Sequence, residues 1–427
     1  MNDLKRSLRS YERSQKVLAG PSTFSKGPDQ FAHGITPYAL DRGEGAYVWD
    51  VDGNCYLDTM MALGAVTFGY KHPYIQNAIQ NQLEKGITFS LAHDLEVEVA
   101  EMMCERIPCA EMVRFGKNGN DATSAAIRLA RYVTGKDHVL FCGYHGWQDW
   151  YICQTSMSGG IPEILKNYSH RFVYNDLEDL ERQLIVFKGQ TACIIMEAVS
   201  RIAPKDGYLQ GVRALADKYN VVLIFDEVVT GFRFHRGGYQ SVCGVMPDLA
   251  CFSKAMGNGM PIAALVGRSE LMSKCPEIFI SLTFAGETLS LAAAKAVMEV
   301  IDKENALEVI EKHGKTLLSG INSLLTSFHL HDAVAVEGFP CRSVMIFRDY
   351  KNTDAGDTRT YWIQELAKRE ILTAGYHIIS LSHTAREIDL LLEIYNDVFR
   401  GMKESLEDDT LPGKLQCPSV KAPAREL

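Results

Sequence analysis

Short apolar runs alternate with longer amphipathic segments between about residues 73 and 298, and no other feature restricts the fold as strongly. Strands that alternate with helices form a mostly parallel sheet with helices on both faces, because the chain must cross over between neighbouring parallel strands. We therefore predict an α/β fold with residues 73–303 as its large domain. Four runs have strand length and polar borders: residues 138–142, 191–196, 221–225 and 249–252.

The segments on either side of this region have other patterns. Residues 1–72 read as an amphipathic helix, an irregular stretch and a small antiparallel ribbon that turns at Asp52-Gly53-Asn54. Residues 304–407 combine helices with short strands, so we expect them to form a smaller α+β domain, to which residues 1–72 also contribute. Residues 408–427 lack periodicity, and we expect a mobile tail there.

Composition excludes several classes of protein. The chain has 427 residues, of which 46% are hydrophobic, and a formal net charge of −9 without a basic stripe, which argues against a nucleic-acid binder. The longest apolar runs are of strand length and the N-terminus lacks a signal-peptide core, so we expect a cytoplasmic protein that does not enter membranes. Eleven scattered cysteines without a Cys-x-x-Cys pair indicate reduced thiols and no metal site.

Lys254 and Asp226 are the strongest candidates for catalytic residues. Asp226 ends the apolar run 221–225, and Lys254 follows the run 249–252, 28 residues further along the chain. Ligands of open α/β sheets bind at the carboxyl ends of the strands, so both side chains are expected at the binding edge. A buried ion pair, or a surface lysine with an unrelated aspartate, is equally compatible with this spacing alone.

The chemistry of pyridoxal phosphate gives this pair a purpose. A lysine amine forms a Schiff base with the aldehyde of that cofactor and can later move a proton between substrate and cofactor. A carboxylate beside the pyridine nitrogen keeps that nitrogen protonated, so that the ring accepts electrons. Because side chains two residues apart on a strand share a face, Val228 should lie on the same side as Asp226 and press on the ring.

The segments around these residues resemble the core of the class III pyridoxal phosphate aminotransferases. They are residues 225–233 (FDEVVTGFR) and 237–268, and the resemblance begins near residue 43 (GEGAYVWDVDGNCYLD). Among the branches of this family, the chain looks most similar to the glutamate-1-semialdehyde 2,1-aminomutases. The resemblance implies a fold type I transferase, pyridoxal phosphate and pyridoxamine phosphate as the two cofactor forms, and a homodimer with a shared active site.

The resemblance also assigns a phosphate-binding turn. Gly119 and Asn120, followed by Asp121, stand where the family has a Ser-Gly-Ser/Thr-Glu turn between a strand and a helix. Backbone amides at the start of a helix bind phosphate without a lysine. Asn120 and Asp121 depart from the family pattern, which leaves the side-chain part of the contact open. Without the family, the same residues are equally a plain turn with a helix N-cap.

Four further cofactor-binding residues follow from the resemblance. Tyr144 matches an aromatic residue that stacks on the pyridine ring, and His145 comes directly after it. Glu197 ends a strand near the site and receives a supporting role. Thr283 matches a threonine that reaches the phosphate of the neighbouring subunit. Taken alone, Tyr144 could equally be a packing residue and Thr283 an ordinary loop residue.

The substrate pocket separates an aminotransferase from an aminomutase. In the aminomutases an arginine of the irregular N-terminal stretch holds the substrate carboxylate, whereas residues 25–31 contain no arginine and Asp29 would repel a carboxylate. Gln30 and His377 suit hydroxyl groups better, and Trp147 is a further candidate for the pocket. We therefore predict amino transfer to a keto or aldehyde acceptor such as a sugar. The aminomutase reaction is the alternative, and a non-catalytic binding or regulatory subunit is the third hypothesis.

Overall fold

The structure is a computed structural model that describes residues 3–420. It divides into two compact units. The large unit is Pro73–Leu307, and the small unit contains the described residues up to His72 and from Glu308 onward. Each unit is therefore continuous in space, although the small unit is built from both ends of the chain.

Fourteen strands and fourteen α-helices make up the described residues. The strands are Leu40–Glu44 (β1), Tyr47–Asp50 (β2), Cys55–Asp58 (β3), Met112–Gly116 (β4), His138–Cys142 (β5), Ser169–Arg171 (β6), Thr191–Met196 (β7), Val222–Asp226 (β8), Leu249–Phe252 (β9), Ala263–Gly267 (β10), Val334–Phe339 (β11), Arg342–Phe347 (β12), Ile371–Leu372 (β13) and Tyr376–Ile378 (β14). The helices are Lys5–Val17 (α1), Met61–Gly64 (α2), Pro73–Leu83 (α3), Asp94–Arg106 (α4), Gly119–Thr134 (α5), Asp149–Ile152 (α6), Leu177–Val186 (α7), Tyr208–Tyr219 (α8), Tyr239–Cys243 (α9), Ser269–Met272 (α10), Thr288–Lys303 (α11), Ala306–Ser327 (α12), Ala355–Ala367 (α13) and Ala385–Glu407 (α14).

The large unit is built on a seven-stranded sheet with the order β4-β10-β9-β8-β7-β5-β6. Strands β9, β8, β7, β5 and β6 are parallel, and β10 runs antiparallel to both β9 and β4. Every residue of β7, β8, β9 and β10 is buried, as expected for strands covered on both faces. Helices on both sides of this mixed sheet confirm the predicted fold type I architecture.

Helix α5 begins at the end of β4 and lies against the sheet. Its N-cap, Asn118, and Asp121 form a capping box, and Gly135 ends the helix in the left-handed conformation. Its alanine-rich inner face packs into the same core as residues of β5, β7, β8, β9 and β10. The first turn of α5 is thereby fixed at one edge of the sheet.

The small unit contains two small sheets. One has the strand order β1-β2-β3-β13 and the other has the order β11-β12-β14. Around them pack α13 and α14, where Trp362 lies between Tyr395 and Phe399. These strands and helices form the α+β arrangement of this unit.

The chain after α14 does not behave as the mobile tail that the sequence predicted. Leu411 is fully buried, the amide of Gln416 donates to Gln364 Oε1 at 3.0 Å, and the amide of Val420 donates to Thr360 Oγ1 at 2.9 Å. Polar groups of α13 thus hold residues 411–420, which an absence of periodicity cannot reveal. Residues 421–427 lie outside the described part of the chain.

No helix within residues 3–420 has both the length and the apolar character needed to cross a membrane.

Candidate active site

Asp226 and Lys254 lie at the carboxyl ends of neighbouring parallel strands. Asp226 is the last residue of β8 and pairs in register with Cys251 of β9. Lys254 follows β9 after one intervening residue, Ser253. The two candidate catalytic residues are therefore brought to the same edge of the large sheet, where open α/β sheets bind ligands.

The backbone at Lys254 has an unusual conformation. Its φ angle is +46°, in the left-handed region that residues other than glycine rarely adopt. Ser253, just before it, is tied down by a hydrogen bond from its hydroxyl to Ile262 O at 2.7 Å. Strained residues of this kind persist where the surrounding structure holds them, and they concentrate at active sites.

Asp226 is held by two hydrogen-bond donors. Its side chain is 5% exposed, Oδ1 accepts the amide of Val228 at 3.0 Å, and Oδ2 lies 2.8 Å from His145 Nδ1. His145 Nε2 lies 3.0 Å from Cys142 O, so both ring nitrogens face oxygen acceptors. The contact from His145 fixes the orientation of the Asp226 carboxylate.

Aromatic rings surround this pair. The ring of Trp150 is stacked on His145 with 5.9 Å between centroids, and Tyr151 meets the same imidazole edge-on at 5.6 Å. Tyr144 contacts Tyr151 edge-on at 5.7 Å and remains partly exposed. Glu197 accepts the amide of Tyr144 at 3.4 Å. His145 itself is buried behind Asp226 and is placed to act through that carboxylate.

The predicted phosphate turn is the first turn of α5. Asp121 Oδ2 accepts the amides of Lys117 and Asn118, at 3.0 and 2.8 Å. The Asp121 side chain therefore closes the turn from behind. The amides of Gly119 and Asn120 donate to no acceptor within residues 3–420, and they lie at the positive end of a 16-residue helix. This turn offers backbone donors to an anion.

Gly119 lies directly against Val228. A Cβ atom at position 119 would lie 2.8 Å and 2.9 Å from the two methyl groups of Val228, closer than real Cβ atoms approach. Val228 follows Asp226 by two residues and is half-buried. The glycine thus lets the phosphate turn approach the residue that the sequence predicted to press on the cofactor ring.

Lys117 and Glu287 form an ion pair that sequence reasoning missed. The Nζ to Oε2 distance is 3.0 Å, and the side chains are 13% and 11% exposed. Glu287 is also the N-cap of α11, where its carboxylate accepts the amides of Leu289 and Ser290. The pair therefore connects the phosphate turn with the start of α11. Its members are 170 residues apart in sequence, so no local pattern could have revealed it.

Thr283 lies in an exposed turn just before α11. Its neighbours Phe279 and Phe284 are also exposed, at 82% and 59%. The backbone of Ile87 accepts hydrogen bonds from Thr288, which brings residues 86 and 87 to the start of α11. Within the described chain, Thr283 makes no hydrogen bond to the phosphate turn.

The three predicted substrate-pocket residues have different surroundings. Trp147 is 68% exposed. Gln30 is buried in the small unit. His377 is wrong as a pocket residue, because it is fully buried, with Nδ1 3.1 Å from Ser343 Oγ and Nε2 3.0 Å from Tyr395 Oη. Burial lowers the pKa of His377 to about 3, so the ring is a neutral part of the core of the small unit.

A buried arginine lies beside Gln30. Arg359 of α13 donates from Nη2 to Gln30 Oε1 at 3.4 Å and to Ala374 O at 3.3 Å. Its guanidinium therefore lies between residues 25–31, a segment that contains no arginine, and the segment that leads into His377. An arginine among the apolar residues of a helix, next to Tyr361 and Trp362, was the signal that could have identified it.

Comparison with known proteins gives one family. The family model described as "Aminotransferase class-III" matches residues 30–342. Among curated proteins, the 3-aminobutyryl-CoA aminotransferase of Cloacimonas acidaminovorans is 34% identical, covering 94% of this chain and 99% of that protein. A glutamate-1-semialdehyde 2,1-aminomutase of Desulforamulus reducens is 32% identical over 93% of this chain and 98% of that protein.

Solved structures agree with this result. The FumI protein of Sphingopyxis sp. MTA144, solved in its pyridoxal phosphate internal aldimine form, has a TM-score of 0.88 and 25% identity, covering 97% of this chain and 99% of that chain. A glutamate-1-semialdehyde aminomutase of Pseudomonas aeruginosa in complex with pyridoxamine phosphate has a TM-score of 0.78 at 22% identity, covering 94% and 95% of the two chains.

Proposed function

The chain belongs to the class III aminotransferases, which are pyridoxal phosphate-dependent enzymes, and on this premise we propose that it moves an amino group from an amino donor to a keto or aldehyde acceptor with Lys254 as its catalytic lysine. The observation that carries the proposal is the placement of Lys254 and Asp226 at the ends of β9 and β8. A lysine and a buried carboxylate at one sheet edge are the two groups that this cofactor requires.

The residues around the phosphate turn fit the cofactor. The amides of Gly119 and Asn120 suit its phosphate, and the absence of a side chain at position 119 leaves the approach to Val228 open. Asp226 supplies a buried carboxylate for the pyridine nitrogen, and Tyr144 an aromatic ring for stacking. These side chains require no metal ion.

Each residue then has a defined task. Bound pyridoxal phosphate supplies an aldehyde that captures amines and a ring that accepts electrons. Lys254 would hold the aldehyde of that cofactor through Nζ and would move a proton to or from the substrate carbon. Asp226 would hold the proton of the pyridine nitrogen, and His145 orients the Asp226 carboxylate.

A homodimer with a shared active site is part of the proposal. Thr283 would reach the phosphate of the neighbouring subunit. The exposed apolar side chains near it in sequence, Phe279 and Phe284, support a protein partner for this surface. Eleven free thiols support a location in the reducing cytoplasm.

The acceptor is a carbonyl compound, and the aminomutase reaction is the second candidate. A sugar-derived acceptor was predicted from His377 and Gln30, but both side chains are buried. The glutamate-1-semialdehyde 2,1-aminomutase of Desulforamulus reducens, 32% identical over 93% of this chain, supports the second candidate. Arg359 is as buried as Gln30 and favours neither candidate. The acidic residue Asp29, next to Gln30 in sequence, supports the first candidate.

A substrate screen that follows the absorbance of bound cofactor tests the proposal. Wild-type protein loaded with pyridoxal phosphate should change its spectrum with an amino donor and recover it with a carbonyl acceptor. The panel should include 3-aminobutyryl-CoA, aldehyde sugars and glutamate-1-semialdehyde. Lys254→Ala is the matched control and should lose both the visible band and turnover; normal turnover in that variant would refute the role of Lys254.

One arm of this screen separates the two candidates. Incubation with glutamate-1-semialdehyde and measurement of 5-aminolevulinate should give turnover far below ordinary enzymatic rates, which are roughly ten per second. Turnover at that rate would replace the aminotransferase proposal with the aminomutase one.

A further inference from the structure

The start of α11 connects three parts of the large unit. Glu287 Oε2 accepts Lys117 Nζ at 3.0 Å and Ser290 Oγ at 2.6 Å. Thr288 Oγ1 donates to Gly86 O at 2.9 Å, which secures the segment that follows α3. The amide of Glu287 donates to Phe284 O at 3.1 Å, so the turn that contains Thr283 ends on the same residue. Glu287 is thus the point where these parts meet.

Lys117 belongs to the phosphate turn through its backbone. Its amide donates to Asp121 Oδ2, and it directly precedes Asn118, the N-cap of α5. Its side chain extends away from the turn to Glu287. A shift of α11 or of the Thr283 turn would therefore pull on the first turn of α5.

The surroundings of Glu287 stabilise its charged form. Burial acts to raise the pKa of Glu287, but hydrogen bonds from Ser290 and Lys117 outweigh it and hold that pKa below its ordinary value. Both side chains are largely shielded from water, so removal of one charge leaves the other without compensation. Such a pair transmits position better than a solvated one.

We infer that Lys117 and Glu287 are a positioning pair that couples the two cofactor sites of a dimer. This inference rests on the proposed role of Thr283 at the phosphate of the neighbouring subunit. Each pair then joins the phosphate turn of its own subunit to the loop that serves the other subunit. Cofactor bound in one subunit fixes the turn, the turn fixes the loop, and the loop favours cofactor in the partner.

Binding of pyridoxamine phosphate tests the inference, because this form binds without a covalent link to Lys254. Titration of apo-protein should show positive cooperativity in the wild type. Lys117→Met and Glu287→Gln should each bind roughly tenfold more weakly, the loss expected for one charge-assisted hydrogen bond, with cooperativity removed. Glu287→Gln keeps an oxygen for the amides of Leu289 and Ser290, so the helix cap survives.

Three further variants separate positioning from plain stability. The double variant Lys117→Met/Glu287→Gln should bind pyridoxamine phosphate with about the affinity of the single variant that binds it less tightly, since the two residues act as a unit. Lys117→Arg keeps the positive charge, so this variant should show the affinity and the cooperativity of the wild type. Arg213→Met removes an ion pair with Asp248, 2.9 Å long, at the opposite end of β9 from Lys254, and should change melting temperature but not cooperativity.

The outcomes distinguish this inference from the proposed function. If the wild type binds pyridoxamine phosphate without cooperativity, or the pair variants bind as the wild type does, the coupling is refuted and the aminotransferase proposal stands. If Arg213→Met lowers cooperativity as much as Lys117→Met, the pair is only structural. If the wild type binds neither cofactor form, the proposed function itself fails.

Discussion

Two buried histidines, one in each unit, show how the partners of a side chain decide its role. His145 in the large unit lies between Asp226 and a backbone carbonyl, which are both acceptors. His377 in the small unit lies between the hydroxyls of Ser343 and Tyr395, which can donate or accept. A neutral ring satisfies both contacts of His377, whereas the contacts of His145 tie it to the carboxylate of the candidate site.

The same residue type therefore has different roles in the two units, although His145 and His377 are both buried. His145 orients a carboxylate at the sheet edge where the reaction is proposed. His377 provides shape and two neutral hydrogen bonds to the core of the small unit. Burial alone does not distinguish these roles, and a sequence displays neither set of partners.

Replacement of the carboxylate should have the largest effect on this comparison. In Asp226→Ala the protein should fold and still bind cofactor, but kcat should fall on the order of 10³-fold or more, because the ring nitrogen loses the group that keeps it protonated. Steady-state kinetics measure this. Asp248→Asn, which alters a buried aspartate just before β9, is the control and should leave kcat nearly unchanged. A loss under about tenfold in Asp226→Ala would contradict the assigned role.

Matched glutamine variants of the two histidines should separate rate from stability. We expect His145→Gln to lower kcat roughly a hundredfold, about 2.7 kcal/mol, and to lower stability as well, because it also disturbs two buried hydrogen bonds. We expect His377→Gln to keep kcat and to lower the free energy of unfolding by about 2–3 kcal/mol, since two buried hydrogen bonds are disturbed. Kinetics and urea unfolding measured on both proteins check this. A rate loss in His377→Gln equal to that of His145→Gln would remove the distinction.

Acid should destabilise the protein, because the small unit buries two neutral histidines. Burial lowers the pKa of His377 to about 3 and that of His383 to about 4, below the value of about 6.5 for an unfolded chain. Because the unfolded state binds the protons more tightly, the stabilisation is complete above pH 6.5 and is lost as the pH falls toward 4. At pH 5 each histidine should cost about 2 kcal/mol.

Urea unfolding at pH 7.5 and pH 5 measures this loss. In His377→Gln the difference in unfolding free energy between the two pH values should shrink by about 2 kcal/mol, because one titrating group is gone. An unchanged difference would show that His377 is protonated in the folded protein.

The smallest effect should come from shape at the phosphate turn. Gly119→Ala places a methyl group against Val228 and should weaken cofactor binding roughly tenfold, about 1.4 kcal/mol. Val228→Ala in the Gly119→Ala background should recover part of the affinity by removing the methyl groups that collide. Equilibrium binding of pyridoxamine phosphate measures both. Full affinity in Gly119→Ala would mean that the turn moves away from Val228 without cost.

The sequence was sufficient for the architecture and for the placement of Asp226 and Lys254 at one edge of the sheet. Uniform apolar runs predict buried parallel strands, and the positions of Asp226 and Lys254 after such runs predict their common edge. The antiparallel direction of β10 was not predicted, because an apolar strand such as Ala263–Gly267 has the same pattern in either direction.

Long-range side-chain partners were beyond the reach of the sequence. Arg359 meets Gln30 across 329 residues, and Lys117 meets Glu287 across 170. His377 was misassigned because a histidine near a predicted pocket shows nothing of the hydroxyls that surround it. Residues 411–420 were misassigned because their attachment depends on single hydrogen bonds to α13.

The left-handed backbone of Lys254 has a consequence for the history of the chain. A residue with a side chain costs roughly 1–2 kcal/mol in this conformation, and glycine would avoid that cost. Selection for a durable fold alone would therefore favour the exchange of Lys254 for glycine. Under the proposed function, Lys254 is retained despite this backbone cost because the reaction needs its amine.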